Sequence, residues 1–272
     1  VASEIIDISI WGLLIAYGLF AAVAALAQHK RMGIARDMAW SAVRMTIQLV
    51  AAGAILEYVF EVRTWYLVLA ILVYFLLMSS RIVLGRVKYH SPTLQRNIVV
   101  AIGLGAGSVL AAFLLLVTSE GTVLDPRYAI PLGGMIFGGA MNGCALAYER
   151  FHSSVQKEQR RIETLLGMGA TFREASAPMV RESVKAAFLP QILAMSAMGI
   201  VMLPGMMTGQ ILSGTMPFVA IRYQIAIMLA LVSSNAAVAY AILHLESRQV
   251  FNDRHQFLAD KYQKSYKTRG KT

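Results

Sequence analysis

Apolar runs of roughly membrane-crossing length, separated by short polar intervals, set the pattern of this chain. Seven can be drawn, over about residues 6–27, 45–60, 65–84, 98–117, 130–148, 186–203 and 221–243. A helix needs roughly 20 apolar residues to cross a bilayer core, so each run predicts a transmembrane helix. A short amphipathic stretch, 34–44, feeds the second run, and Trp65 and Tyr66 open the third as interfacial aromatics would. One interval is unlike the others. From His152 to Pro190 the chain is polar and reads as helix, glycine turn, helix. Ser153 with Gln156 predicts a capping box for the first helix, and Gly169 suits the left-handed residue that closes it. Thr171 with Glu174 predicts a second capping box, so a new helix starts at once. Two helices set at an angle by a glycine corner predict a rigid lever for a soluble partner, or otherwise an ordinary basic loop.

Composition strengthens the membrane reading: 57% of the 272 residues are hydrophobic, 15% are charged, and the mean hydropathy is +0.58. The net charge of +10 would fit nucleic acid if it were clustered on one soluble face. Instead, the alternate intervals beginning at Gln28, Arg81, Glu149 and Leu245 hold 22 of the 25 Lys and Arg, leaving Arg63, Arg127 and Arg222 on the other side. The positive-inside rule then puts the N-terminus outside and the C-terminus in the cytoplasm. The stretch from Val1 has no basic segment or small-residue cleavage site, so no cleavable leader is expected. Cys144 is alone, which excludes a disulfide framework.

Several residues stand out within the runs. Gly134 and Gly138, and again Gly139 and Gly143, are four apart, a spacing that lets helices approach closely within one chain or between two. Asn142 lies among them as a polar group in need of a partner or a cavity. Arg44 and Gln48 stand one turn apart, with Arg44 placed to snorkel toward headgroups. The stretch LPGMMTGQILSGTMPF breaks the backbone near membrane depth, which is tolerated only against protein or water. Met195, Met198 and Met202 share one helix face, and Met206, Met207 and Met216 follow; packing or cavity lining suits them better than Cu(I) ligation.

Enzyme signatures are missing. There is no HExxH, no GxSxG and no carboxylate pair within a run, and all five histidines fall in or beside predicted cytoplasmic segments. The ending Arg269-Gly270-Lys271-Thr272 mimics part of a Walker A loop, but Ser265 stands where the first glycine belongs. Any ATPase must therefore be another polypeptide.

The segments HSSVQKEQRRIETLLGMGAT, LPGMMTGQILSG and IRYQI resemble a small family of membrane permeases. It is the family of the bacterial iron-export Fet-type ABC permease and the plant aluminium-sensitive membrane protein. The resemblance runs from Ile34 to Leu243 and is dense between Pro131 and Gln224. It implies the membrane subunit of an ABC transporter served by a separate ATPase. Bacterial members imply metal export, mainly of iron. The plant member implies aluminium tolerance, with a sugar nucleotide as the suggested cargo. Arg160, Arg161, Glu163, Gly169, Ala170 and Thr171 match the family's cytoplasmic segment, which is similar to the Glu-x5-Gly coupling motif of other ABC permeases. The closing proline of that broader motif comes late here, at Pro190. Pro204, Gly205, Met206, Met207, Gly209 and Gln210 match the family signature after the sixth run.

The resulting expectation is an all-α, polytopic protein of about seven transmembrane helices with a cytoplasmic helix-turn-helix. One permease domain would cover 1–244, with its coupling segment at 150–185, followed by a basic cytoplasmic tail at 245–272. The expected coupling residues are Arg160, Arg161, Glu163, Gly169, Ala170, Thr171 and Glu174. The expected transport path holds Gln48, Asn142, Met202, Pro204, Gly205, Met206, Met207, Gly209 and Gln210, with no metal ligands assigned. The chain is expected to bind no cofactor, with ATP and Mg on the ATPase, and to form a homodimer in the inner (plasma) membrane. Lipid is an expected partner and nucleic acid is not. The alternatives are a permease for an organic solute and a membrane scaffold without transport.

Overall fold

The computed structural model describes residues 9–87, 93–117 and 123–250 and is all-helical over them. The helices are α1 (Ile10–His29), α2 (Ala35–Val62), α3 (Trp65–Arg86), α4 (Leu94–Val117), α5 (Pro126–Lys157), α6 (Gln159–Gly167), α7 (Phe172–Ala197), α8 (Gly205–Leu212) and α9 (Pro217–Val250). Six of them, α1 to α5 and α9, are long and apolar enough to cross a membrane. The expected sixth run is not among these six. It is the second half of α7, which begins at Phe172 among charged residues and ends at Ala197, short of the expected 203. The amphipathic stretch before the second run is likewise no separate element, since α2 is continuous from Ala35. Ser91 and Pro92, Glu4, Asp7 and the Walker-like ending lie outside the described residues.

Local chemistry sets the helix ends. Asp125 caps α5 by accepting from Arg127 N–H at 2.9 Å, and Pro126 stands at the first position, where its missing N–H costs nothing. Ser9 caps α1 in the same way through Gly12 N–H. The capping box expected at Ser153 is absent. Ser153 lies inside α5, whose polar last turns continue the helix to Lys157, and Glu158 alone separates α5 from α6. The box expected at Thr171 is present in full.

Residue pairs fix the relative directions of the helices in the main bundle. Along α5 and α9, Gly139 faces Leu231, Gly143 faces Asn235 and His152 faces Glu246, so these helices run parallel. On α4, Asn97 meets Glu246 and Gly105 meets Val238, so α4 runs opposite to α9. On α7, Glu182 pairs with Arg150 and Ala187 meets Asn235, so α7 runs opposite to α5. The chain therefore returns along α7 before α9 begins. A core of Ile98, Ile102, Ile136, Phe151, Met179 and Ile242 fills the space between these helices. Close approach is possible because glycine stands at the crossings: a Cβ on Gly105 would lie 2.8 Å from Val238 N, and one on Gly143 would lie 1.3 Å from Asn235 Oδ1. The pair Gly139 and Gly143 thus serves packing within the chain, while nothing lies near a Cβ at Gly138.

The α1–α2 hairpin stands largely apart from this bundle. A hydroxyl hydrogen bond between Tyr17 and Thr46 links its two helices. Between them lies an apolar groove of about 560 Å³ that includes Leu13, Phe20, Met38 and Met45. Most of the hairpin's apolar side chains are exposed, as lipid-facing or subunit-facing helices require.

Candidate coupling site and the buried cluster behind it

The helix α6 is nine residues long, and its amphipathicity decides how it sits. Ile162 is fully buried and Leu165 and Leu166 pack partly against the core, so one face is anchored. Arg160, Arg161, Glu163 and Thr164 are exposed on the other face, and Met168, 72% exposed, follows at the tip. Gln159 Nε2 donates to Glu163 Oε1 at 2.9 Å, and Arg161 pairs with Glu158 at 3.0 Å, so the outer charges are held in a fixed arrangement.

The corner after α6 is equally determined. Gly169 adopts φ +91°, Gly169 N–H donates to Leu166 O, and Ala170 N–H donates to Leu165 O, each at 3.0 Å. These bonds satisfy carbonyls that a helix end leaves open. Thr171 then starts α7: its N–H and its hydroxyl both donate to Glu174 Oε2 at 2.8 Å, while Glu174 N–H donates back to Thr171 Oγ1. The Thr171 backbone N–H, followed by its hydroxyl, holds the Glu174 carboxyl below the usual carboxylate range. An exposed ion pair, Arg150 to Glu182 at 2.9 Å, braces α7 against α5. All seven expected coupling residues therefore fall on one contiguous unit, α6 with its corner.

The residues proposed for a transport path are not gathered in the same way. Gln48 and Asn142 are both exposed, on α2 and α5 respectively. Met202, Pro204, Gly205, Met206, Met207, Gly209 and Gln210 lie in α8 and the turn before it, at the end of α7 remote from α6. That turn is tight: Gly199 has φ +80° and its N–H donates to Met202 O at 3.0 Å. Met207 is buried, and Gln210 Oε1 is enclosed without a hydrogen-bond partner. Gln224 Nε2 donates to Met198 Sδ at 3.9 Å, linking α9 to the end of α7.

Behind α6 and its corner lies a polar cluster that sequence reasoning missed. Glu246 is 1% exposed and lies on α9, not in a tail. Asn97 Nδ2 on α4 donates to Glu246 Oε1 at 2.8 Å. His152 Nε2 on α5 stands 3.6 Å from Glu246 Oε2. The imidazole packs against the Tyr148 ring at 4.1 Å between centroids, tilted by 44°, and meets Phe151 edge-on at 5.5 Å. His152, expected only to fall in or beside a cytoplasmic segment, is thus buried against a carboxylate. A signal was present: Glu246 follows Ile242 by four and Leu243 by three, which places it on the buried stripe of α9. Among the described residues, no three His, Cys, Asp or Glu side chains come together as a metal site.

The profile of the uncharacterised protein family UPF0014 matches residues 10–251, nearly the whole chain. The chain belongs to the UPF0014 family. This UPF0014 chain is 34% identical over 243 residues to the Escherichia coli (strain K12) protein named "Probable iron export permease protein FetB", covering 89% of this chain and 92% of that protein. It is equally similar, 34% over 241 residues, to a UPF0014 membrane protein of Synechocystis, covering 89% and 93%. It is 28% identical over 204 residues to the Arabidopsis thaliana protein ALUMINUM SENSITIVE 3, covering 75% of this chain and 73% of that one. No solved structure matches the chain. With relatives named as membrane proteins and six helices of spanning length, this UPF0014 member is a multi-pass membrane protein.

Proposed function

We propose that this chain is the membrane subunit of an ABC-type exporter. A separate cytoplasmic ATPase, which holds ATP and Mg, drives it through α6. The observation that carries this reading is the perch of α6: its inner face is buried at Ile162, its outer face offers Arg160, Glu163 and Met168, and a capped corner fixes its angle. A short rigid helix presented outward in this way fits a groove on a soluble partner. Seven crossings, with α7 as the return between α5 and α9, put the N-terminus outside and α6 in the cytoplasm, in accord with the distribution of Lys and Arg. Two copies enclose the path, each served by one ATPase. The cargo is an iron-like metal ion, a reading supported by the name of the E. coli relative.

Co-purification of wild type and Glu163→Lys with candidate ATPases of the host tests the proposal. Wild type captures one ATPase, and the substitution weakens capture at least about tenfold by reversing the charge that α6 offers at position 163. Capture of no ATPase by wild type, or equal capture by both forms, overturns it.

A second reading, an organic solute as cargo, is favoured by the apolar, methionine-bearing surface at the end of α7, where Met195, Met202 and Met216 are exposed. Deletion in the host separates the two readings: accumulation of metal supports the first, and a changed metabolite profile with unchanged metal supports the second.

A further inference from the structure

The cluster of Glu246, His152 and Asn97 lies where the lever joins the bundle. The helix α6 hangs from α5 across a single residue, Glu158. The last turns of α5 before it are enclosed, with Tyr148, Phe151, His152 and Val155 all buried. A push on α6 therefore reaches the end of α5 directly. What the end of α5 meets is the one buried carboxylate among the described residues.

The two contacts of that carboxylate differ. Asn97 to Glu246, at 2.8 Å, is a formed hydrogen bond and ties α4 to α9. His152 to Glu246, at 3.6 Å, lies beyond hydrogen-bond range, so a movement of α5 by about 0.7 Å would make the bond. A buried carboxylate gains strongly from a closed polar contact and is costly without one. The contact therefore favours two discrete placements of α5 over a continuum, as packed interfaces do. The tilted Tyr148 ring and the edge-on Phe151 hem in the imidazole, which is 1% exposed, so the movement is one of the helix and not of a loose side chain.

We infer that Glu246 and His152 are the positioning pair through which displacement of α6 is passed from α5 to the α4–α9 pair, and so across the membrane to α8. This inference rests on the reading of α6 as the ATPase-coupling helix. Neither residue contacts cargo or ATPase; the pair transmits.

The test uses the full chain with its ATPase in liposomes, in a Cys144→Ala background. A nitroxide is placed at Met216→Cys, an exposed site just before α9. The readouts are ATPase capture and the change in the nitroxide spectrum when ATP and vanadate trap the complex. Glu246→Gln keeps an oxygen for Asn97 to donate to but removes the charge facing His152. His152→Gln removes the imidazole, and it carries the test if the first variant does not fold. Both are expected to capture the ATPase as wild type does, while the trapped change at position 216 falls at least about fivefold. The double variant is expected to be no worse than the stronger single, as for two halves of one contact. A full change at 216 in the single variants overturns the inference, as do additive losses in the double or no change at 216 in wild type. Loss of capture in the single variants also overturns it, since the cluster would then serve docking or folding. Failure of wild type to capture any ATPase is a different result and sinks the coupling reading itself.

Discussion

Gly143→Ala probes the closest approach in the bundle. A Cβ at this position would lie 1.3 Å from Asn235 Oδ1 and 2.4 Å from its Cγ, so the amide must leave its place. That amide is not free to go. It is 1% exposed and its Nδ2 donates to Ala187 O at 2.9 Å. Ala187 adjoins Ala186, whose carbonyl is the one that Pro190, four residues on, crowds and leaves without an intrahelical N–H. Overpacking of this kind costs about 1–3 kcal/mol, and an interhelical hydrogen bond in a membrane protein is worth about 0.6 kcal/mol and up to about 1.7. The sum predicts a loss of roughly 2–4 kcal/mol for Gly143→Ala. Asn235→Ala alone loses only the bond, roughly 1 kcal/mol. In the double variant the new methyl enters the space that the amide vacates, so the total should fall back to about 1–2 kcal/mol and the two changes should couple strongly. Gly105→Ala is the control. Its Cβ would meet Val238 N at 2.8 Å and Cα at 3.0 Å, which is backbone, so Val238→Ala cannot rescue it. Unfolding in mixed detergent micelles, followed by circular dichroism, measures all six proteins with wild type. A Gly143→Ala loss below about 0.5 kcal/mol, or an additive double at that site, would refute the account of this crossing.

Three further outcomes are expected. Asn97→Ala removes the donor to a buried carboxylate and should cost roughly 2–3 kcal/mol in the same micelle titration; a neutral result would mean that Glu246 is satisfied without α4. Met168→Asp puts a charge on the exposed tip after α6 and should weaken ATPase capture at least about tenfold with the unfolding midpoint unchanged; unaltered capture would remove the tip from the docking face. At the α7 start, the Glu174 carboxyl is held below its ordinary range, so its contribution is present above the unfolded-state value and is lost as pH falls through the folded one. Hydrogen exchange over residues 168–176, corrected for the intrinsic rate, should therefore rise on acidification in wild type. Glu174→Gln should be flat, and Thr171→Ala should already be raised at neutral pH by about 1 kcal/mol of lost cap.

Much of this architecture was legible because it rests on short-range chemistry. The box of Thr171 and Glu174 and the left-handed Gly169 depend on residues three apart or fewer, and both are found as expected. The long apolar runs likewise announce α1, α3, α4 and α9. Rotation about a helix was harder to read. Asn142 was singled out for polarity alone, yet it faces outward, while Gly143, one residue on, touches α9. Helix ends failed where a polar stretch stays helical: the fifth run ends at 148 in the sequence and a new helix is expected at Ser153, yet α5 continues through both because Phe151, His152 and Val155 keep one face buried. Glu246 was assigned to a tail for the same reason, and its partners, Asn97 and His152, are far away in sequence.

Helix lengths give these misreadings a common cause. At 1.5 Å per residue, α5 with 32 residues is about 48 Å long and α9 with 34 about 51 Å, against a hydrocarbon core of about 30 Å. Both must project beyond the bilayer. Because they run parallel, with Glu149, Arg150 and Lys157 on one and Glu246 and Arg248 on the other, they project at the same end. The polar first half of α7, from Arg173 to Lys185, packs on that projection. The polar interval between spans is thus a continuation of the bundle outside the hydrocarbon, where polar residues are tolerated on the outer face and a core persists inside. A carboxylate can be buried there because its enclosure is protein and not lipid. There is no slack between α6 and the membrane helices, since Glu158 alone separates α6 from α5, and the buried end of α5 faces Glu246 on α9, which is bonded to Asn97 on α4.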